Sequence, residues 1–171
     1  MLINLTDYFK NPEKKDKILV EYEGGNLSAN GSSYPVNEGK RLEITVESIG
    51  NGQLSISGQG EYEVVMPCDR CVEDVTVPVQ IEFDYTVNEP DGYHELSEDD
   101  EEFMKGYDLD GDTIIHNELI MGLPMKVLCK DDCKGLCPVC GSNRNKGECG
   151  CDTFVPDPRM AAIQDIFNAN K

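Results

Sequence analysis

Six of the chain's eight cysteines fall within one short stretch, and their spacing suits a cross-linked module. They are Cys129, Cys133, Cys137, Cys140, Cys149 and Cys151. Few apolar side chains accompany them, so hydrophobic burial alone would not fold this stretch. The chemistry that could hold it together is either a metal ion bound by thiolates or a set of disulfides.

The most informative motif is Cys137–Gly141, in which two cysteines are separated by two residues and followed by a glycine. This pattern is typical of a metal-binding knuckle, because the glycine permits the positive φ with which the chain leaves the turn. Cys149 and Cys151 follow eight residues later. Residues two apart in an extended segment point to the same side, so both sulfurs could face the knuckle. Four thiolates in a tetrahedron are a preferred zinc site.

The other four cysteines form two further pairs. Cys129 and Cys133 are four residues apart and could share one face of a helix. Cys68 and Cys71 have the knuckle spacing and stand in a turn before a long strand. A redox role for Cys68 and Cys71 would require a helix directly after the motif, to lower a thiol pKa. A strand pattern follows instead, which favours a metal ligand or packed free thiols.

Zinc is favoured over disulfides by the expected compartment. The first residues lack a basic segment followed by a long apolar core, so we expect the chain to stay in the cytoplasm. Thiols stay reduced there. We therefore take all eight cysteines as candidate ligands of one or two structural Zn²⁺ ions. Two four-sulfur sites and one site with spare thiols are both compatible with this number, and the pairing stays open.

The charge of the chain points to a basic partner. The formal net charge is −18, which would repel bulk nucleic acid and suits a basic protein or a basic patch on a larger assembly. No apolar run approaches the roughly 20 residues that cross a bilayer. The sequence contains no phosphate-binding glycine loop or nucleophile motif, and zinc held by four cysteines has no open position. We expect no enzymatic activity and no small-molecule substrate.

Alternating apolar residues predict the strands that must position the cysteines. Leu42, Ile44 and Val46 alternate with polar residues, and Asn51-Gly52 is a strong signal for a two-residue hairpin. The return strand contains Gly58 and Gly60, which predict a bulge or a bend. A long strand follows over 75–87, in which Pro78 indicates a sheet edge or a bulge. A shorter strand is predicted over 18–23, and a loop over 24–33.

Helices and an acidic segment complete the pattern. Residues 88–112 are rich in Asp and Glu and predict a loop. Asp112 or Thr113 could cap a helix that would cover the sheet and end at Pro124. Its apolar stripe comprises Ile114, Ile115, Leu119, Ile120 and Leu123. A final short helix is predicted from Asp157 to Phe167.

These elements predict an α+β protein. It would contain an antiparallel β-meander covered by a helix, a C-terminal cysteine-rich zinc-binding module and a short terminal helix. We expect a β-rich domain over residues 1–125, with the acidic loop and the covering helix. Residues 126–171 would form the zinc module and the C-terminal helix.

The motifs, taken in order, resemble those of the YceD family, the large ribosomal RNA subunit accumulation proteins. The resemblance is carried by Cys68-Asp69-Arg70-Cys71 before a long alternating strand, by the acidic linker and by Leu123-Pro124-Met125-Lys126. It continues through Leu128-Cys129 and Cys133–Gly141 to Cys149-Gly150-Cys151 and Asp157-Pro158-Arg159.

This resemblance implies a bacterial, cytoplasmic factor for ribosome biogenesis. Such a factor would support processing or accumulation of 23S rRNA and would act on a precursor of the large subunit without catalysing a reaction. The alternative is a thiol-based redox or zinc-responsive regulator, in which Cys68 and Cys71, or Cys129 and Cys133, are oxidised and release metal.

The charges of the cysteine module give two opposing indications of its direct partner. The cysteine module carries several lysines and arginines that could contact phosphates. Four thiolates around one Zn²⁺ leave about two negative charges, which opposes that attraction. We therefore favour a basic ribosomal protein over direct rRNA contact.

Overall fold

The computed structural model divides the chain into two compact units. The structure describes residues 1–22, 25–29, 31–37, 41–90 and 103–152. The first unit comprises Met1–Pro67 and Asp74–Val127, and the second comprises Cys68–Glu73 and Leu128–Lys171. Cys68–Glu73, which the sequence analysis placed in the β-rich domain, therefore belongs to the unit that contains the other cysteines. The predicted division into domains at residue 126 stays a prediction.

Strands make up most of the first unit. The strands are β1 (Leu2–Asn4), β2 (Lys15–Glu21), β3 (Gly25–Ala29), β4 (Ser32–Val36), β5 (Arg41–Gly50), β6 (Gln53–Pro67), β7 (Asp74–Asn88), β8 (Met104–Lys105) and β9 (Asp108–Asp110). The helices in the described residues are α1 (Thr6–Lys10) and α2 (Gly111–Gly122). Neither of them has the length and apolar character needed to span a bilayer.

Two antiparallel sheets organise these strands. The larger has the order β2-β5-β6-β4-β3, with β7 also paired to β6, and the smaller has the order β1-β9-β8. The strands β5, β6 and β7 form the predicted meander. The fold is more sheet-dominated than predicted, since the meander is only part of a six-stranded sheet. The prediction of a meander covered by a helix is therefore confirmed only in part.

The hairpin between β5 and β6 follows from the local sequence. Asn51 and Gly52 both have positive φ, 55° and 70°, as a two-residue hairpin turn requires. Leu42, Ile44 and Val46 of β5 are fully buried, whereas the residues between them are exposed or half-buried. The predicted strand, turn and buried face are confirmed.

Strand β7 lies at an edge of the larger sheet. It pairs with β6 over its whole length, from Pro67↔Asp74 to Gln53↔Asn88. Among the described residues, no strand pairs with its other side. Pro78 has no N–H to donate and is tolerated at such an edge, as predicted.

Of the bulge or bend predicted at Gly58 and Gly60, the bulge was wrong, and the bend stays a prediction. The register of β6 against β7 is continuous past both glycines, and the irregularity of the hairpin lies between Ser48 and Gly50 of β5. The two glycines instead make room for side chains. A Cβ atom on Gly58 would lie 2.7 Å from Cζ of Phe83, and one on Gly60 would lie 2.8 Å from Cδ1 of Leu42.

We expect Gly58→Ala to destabilise the first unit by about 1–3 kcal/mol, because the buried Phe83 ring would have to move. Urea denaturation followed by circular dichroism measures this change. In a Phe83→Leu background, Gly58→Ala should lower the free energy of unfolding by less than it does in the parent chain. A Gly58→Ala variant as stable as the parent chain would contradict this explanation.

The prediction of a loop over residues 24–33 was also wrong. Strands β3 and β4 pair in register from Gly25↔Val36 to Ala29↔Ser32, with Gly31 at φ 77° in the turn. Leu27 is fully buried. The small and polar residues gave a loop signal because alternation is weak in so short a hairpin. The strand predicted over residues 18–23 runs from Lys15 to Glu21.

Helix α2 begins two residues earlier than a cap at Asp112 would place it. Asp110 is its N-cap and accepts a hydrogen bond from the N–H of Thr113 at 3.5 Å, so neither Asp112 nor Thr113 is the cap. Ile114, Ile115 and Leu119 are buried, and the helix packs against β7. Ile120, predicted on the same stripe, is exposed.

The described part of the acidic segment, which was predicted to be a loop, contains regular structure. Its first residue, Asn88, ends β7, and its last part contains β8 and β9 and starts α2. Phe103, Met104 and Leu109 are buried there. Their burial explains why strands form in a stretch rich in acidic residues. Residues 91–102 and the predicted final helix over 157–167 lie outside the described residues.

Candidate metal centres

The second unit brings all eight cysteines into two groups of four. Cluster 1 comprises Cys68, Cys71, Cys129 and Cys133. Cluster 2 comprises Cys137, Cys140, Cys149 and Cys151. Within each cluster the sulfur atoms all lie within 4.8 Å of one another, and either group could hold a metal ion. None of the cysteines forms a disulfide. Of the arrangements left open by the sequence, the structure has two four-sulfur groups.

The spacing of the sulfurs fits a tetrahedral metal. Four ligands at about 2.3 Å from a zinc ion stand about 3.8 Å apart. In cluster 1, Sγ of Cys68 is 3.8 Å from Sγ of Cys133, and Sγ of Cys71 is 3.5 Å from Sγ of Cys129. A set of four thiolates selects a soft or borderline cation and excludes magnesium and calcium.

A tight turn presents the first pair of cluster 1. The N–H of Val72 donates to the carbonyl of Cys68 at 2.9 Å, and the N–H of Cys68 donates to the carbonyl of Glu73 at 2.8 Å. Val72 takes φ 60°, which is unfavourable for a β-branched residue. This turn joins β6 to β7 in the chain, so both cysteines are held at the end of a regular hairpin.

The second pair of cluster 1 does not lie on a helix. Cys129 lies in a bend and Cys133 directly follows a turn at residues 131–132, where its N–H donates to the carbonyl of Lys130 at 3.1 Å. The predicted helical face was therefore wrong. A four-residue spacing can bring two sulfurs together through a turn as well as through a helix.

Polar contacts between the two segments close cluster 1. The Arg70 guanidinium donates to the carbonyl of Cys133 at 2.9 Å, and the carbonyl of Arg70 accepts from the N–H of Leu136 at 3.0 Å. Nζ of Lys146 lies 2.7 Å from a carboxylate oxygen of Glu73. These groups hold residues 68–73 against residues 133–146 independently of the sulfurs.

Cluster 2 contains the predicted knuckle. The N–H of Gly141 donates to the carbonyl of Cys137, and the N–H of Cys137 donates to the carbonyl of Ser142, both at 2.8 Å. Gly141 and Gly150 have φ values of 73° and 69°. The glycine predicted to let the chain leave the knuckle has this conformation.

Burial and hydrogen bonds give the thiols of cluster 1 different pKa values. Burial acts to raise the pKa of the Cys68 thiol, but backbone N–H groups of Arg70, Cys129 and Cys71 outweigh it and lower that pKa to about 6. Burial and hydrogen bonding to neighbouring sulfurs raise the pKa of Cys129 to about 12. The backbone therefore favours a thiolate at Cys68, whereas the surroundings of Cys129 favour its protonated thiol.

The thiols of cluster 2 also differ in pKa. The backbone N–H of Cys151 and the side chain of Ser142 lower the pKa of Cys149 to about 6. Hydrogen bonding to Cys140 and Cys149 raises the pKa of Cys151 to about 12. Each cluster thus combines a thiol of lowered pKa with a thiol of raised pKa.

Gly135 is required where the two clusters meet in the chain. Its φ is 71°, and a Cβ atom there would lie 3.0 Å from the carbonyl oxygen of Arg70. We expect Gly135→Ala to lower the free energy of unfolding of the second unit by about 1–2 kcal/mol and to weaken metal binding by cluster 1. Competition with a chromophoric zinc chelator measures this change.

Gly147→Ala is the matched control. A Cβ at Gly147 would meet no atom within 4 Å, and its φ is outside the left-handed region. Equal effects of the two substitutions would contradict the role assigned to Gly135.

The cysteine-containing part of the chain matches a known protein family. Residues 56–167 match the model of the family described as "Large ribosomal RNA subunit accumulation protein YceD". The match covers more than half of the chain and includes both clusters. The chain belongs to the YceD family.

Mycobacterial proteins are among the relatives of this YceD-family chain. It is 30% identical to uncharacterized proteins of Mycobacterium bovis and Mycobacterium tuberculosis, over 74% of its own length and 61% of theirs. An uncharacterized protein of Mycobacterium leprae is 29% identical, over 64% of this chain and 49% of the relative. The chain thus spans about three fifths of the length of the first of these relatives. No solved structure matches it.

Sequence reasoning missed the polar residues that support the clusters in this YceD-family protein. Arg70, Glu73 and Lys146 link the segments of cluster 1, and Asn145 donates from its amide to Sγ of Cys133 at 3.2 Å. Arg70 stands inside the motif that carries the family resemblance. Its position between two candidate ligands is the signal that could have identified it.

Proposed function

We propose that this chain is a non-catalytic, cytoplasmic assembly factor of the bacterial large ribosomal subunit, supporting the processing or accumulation of 23S rRNA. The observation that carries this proposal is the family match, which spans both clusters and most of the long β6–β7 hairpin. The family's name refers to accumulation of the large ribosomal RNA subunit.

Each cluster holds one structural Zn²⁺ in this proposal. The support is the donor set of four sulfurs, the spacing in cluster 1 and the reducing compartment, in which zinc is the usual occupant of such sites. All four positions around each ion would be filled by protein, so the metal would stabilise the fold and activate no water. Within residues 68–73 and 128–152, Leu136 and Val139 are exposed and cysteines are the only buried hydrophobic residues, which is consistent with folding that depends on metal.

Charge favours a basic ribosomal protein as the direct partner. The described residues of the second unit contain five lysines and arginines against six aspartates and glutamates. Two zinc ions bound by eight thiolates would add about four negative charges. With both ions bound, the cysteine module would be negative overall despite its lysines and arginines, as is the whole chain at −18. Phosphate contacts would be opposed, and a basic protein surface would be attracted.

Sedimentation and crosslinking test this function. In lysates resolved on sucrose gradients, we expect the tagged chain to sediment with precursors of the large subunit, and its depletion to lower the amount of mature 23S rRNA. Amine-reactive crosslinking should recover a basic ribosomal protein, whereas ultraviolet crosslinking should recover little RNA. Recovery of RNA without any ribosomal protein would contradict the proposed partner. Absence of the chain from all ribosomal fractions would contradict the proposed role in assembly.

A further inference from the structure

The two clusters have the same ligand chemistry but differ in access to solvent. In cluster 1, Cys68, Cys71 and Cys133 are 1%, 4% and 3% exposed, and Cys129 is half-buried. In cluster 2, Cys140 and Cys149 are exposed and Cys151 is half-buried, so only Cys137 is buried. Reagents that attack sulfur must reach it, and the rate of thiolate oxidation follows exposure.

Sulfurs of both clusters take part in hydrogen bonds, but two of those in cluster 1 are part-buried, whereas that of Cys140 is exposed. Sγ of Cys68 accepts a hydrogen bond from the N–H of Cys129 at 3.3 Å, and Sγ of Cys133 accepts one from the Asn145 amide at 3.2 Å. In cluster 2, the Ser142 hydroxyl lies 3.1 Å from Sγ of Cys140, at an exposed position.

The segment that carries cluster 2 also has room to rearrange. A Cβ atom added at Gly141, Gly147 or Gly150 would meet no other atom within 4 Å. By contrast, a Cβ atom at Gly135, next to cluster 1, would lie 3.0 Å from the carbonyl oxygen of Arg70. Formation of a disulfide requires two sulfurs to approach to about 2.05 Å, which the open segment permits more easily than the packed one.

We propose that cluster 2 is a reversible oxidation site, at which a hydroperoxide joins Cys140 to Cys149 and releases the metal while cluster 1 retains its own. The proposal rests on the metal sites of the proposed function and adds a chemical reaction at one of them. It reverses the expectation from the sequence alternative, in which Cys68 and Cys71, or Cys129 and Cys133, were the oxidised pairs. Those four residues form the protected cluster.

The reaction is a two-electron oxidation by the hydroperoxide. One thiolate attacks the distal oxygen, the O–O bond breaks, and a sulfenic acid forms with release of hydroxide or alkoxide. The second thiolate then attacks the sulfenic sulfur, the S–S bond forms, and hydroxide leaves. Two thiolates are oxidised and one hydroperoxide is reduced. The ion keeps only two of its four sulfur ligands and dissociates.

Cys140 and Cys149 are the favoured pair because both are exposed and their sulfurs lie within 4.8 Å of each other. A disulfide between Cys149 and Cys151 would close a small, strained ring, since only one residue separates them. Cys137 is buried at 2% exposure.

The test uses the full chain, reduced and loaded with zinc in the absence of oxygen. Its zinc content is measured first, and hydrogen peroxide is then added while released zinc is followed with a colorimetric chelator. We expect one equivalent to leave at least about tenfold faster than the other, and to rebind after reduction with dithiothreitol. N-ethylmaleimide on the untreated holoprotein should label cluster 2 before cluster 1, which requires no substitution.

Peptide mapping identifies the disulfide. Trypsin cleaves after Lys134, Arg144, Lys146 and Arg159, so the expected bond joins the peptides 135–144 and 147–159. Fragmentation of the linked species distinguishes Cys140 from Cys137 and Cys149 from Cys151. A Cys140→Ser variant should lack the fast phase and keep the slow one.

The outcomes separate the two proposals. Protein that holds no zinc before peroxide is added would overturn the metal sites, and this inference with them. Protein that holds zinc in both clusters but loses both equivalents at one rate would overturn only the inference. A first disulfide among Cys68, Cys71, Cys129 and Cys133, or labelling of cluster 1 first, would do the same.

Discussion

Replacing Cys71 by serine is expected to lower the zinc content of the purified, reduced chain from about two ions to about one. Cys71 supplies one of the four sulfurs of cluster 1, and its removal leaves three ligands and an open position. A serine hydroxyl is a poor ligand for zinc at neutral pH, so the remaining site should lose most of its affinity. Elemental analysis together with protein quantification gives the stoichiometry directly.

Cys137→Ser is the matched variant, because it removes one ligand from cluster 2 and leaves cluster 1 complete. It too should retain about one ion, and the double variant should retain none. One ion in the parent chain would contradict the two-site assignment. Loss of both ions on either single substitution would show instead that the clusters fold as one unit.

Leu54→Ala is expected to destabilise the first unit by about 2–5 kcal/mol. Leu54 is fully buried at the start of β6 and pairs in register with Ser48 on one side and Val87 on the other. The substitution removes apolar surface from a packed core and leaves a cavity that regular strands on both sides cannot close. Denaturation monitored by circular dichroism measures the loss, and zinc content should stay unchanged.

Ser55→Ala is the control for this prediction. Ser55 is the next residue of the same strand, and its hydroxyl donates to Asp84 at 3.2 Å at the exposed surface. We expect a change within about 0.5 kcal/mol, as is usual for surface positions. A Leu54→Ala cost no larger than that of Ser55→Ala would show that this face of β6 is not the core.

Local sequence was sufficient where the decisive contacts are local. The hairpin at Asn51-Gly52 depends on two residues that tolerate positive φ, and the buried face of β5 depends on alternation over three residues. The knuckle of cluster 2 likewise depends on a glycine four residues after its first cysteine. Each of these features was predicted because neighbours in the chain determine it.

Where distant contacts decide, the sequence signal was misleading. Gly58 and Gly60 suggested a bulge, yet they are glycine because Phe83 and Leu42 occupy the space over them. The segment over 24–33 suggested a loop, yet strand pairing orders it. The acidic segment suggested a loop throughout, yet Met104 and Leu109 bury their side chains and form strands.

The sequence by itself determined that eight cysteines with knuckle spacings, an acidic charge and alternating strands belong together, and it was sufficient to identify the family. Only the tertiary structure decided which cysteines share a site. Cys68 and Cys71 are separated from Cys129 and Cys133 by β7, the acidic segment and α2, and no local rule relates residues so far apart. Folding of the intervening chain brings these sulfurs together, and for that reason spacing alone left their pairing open.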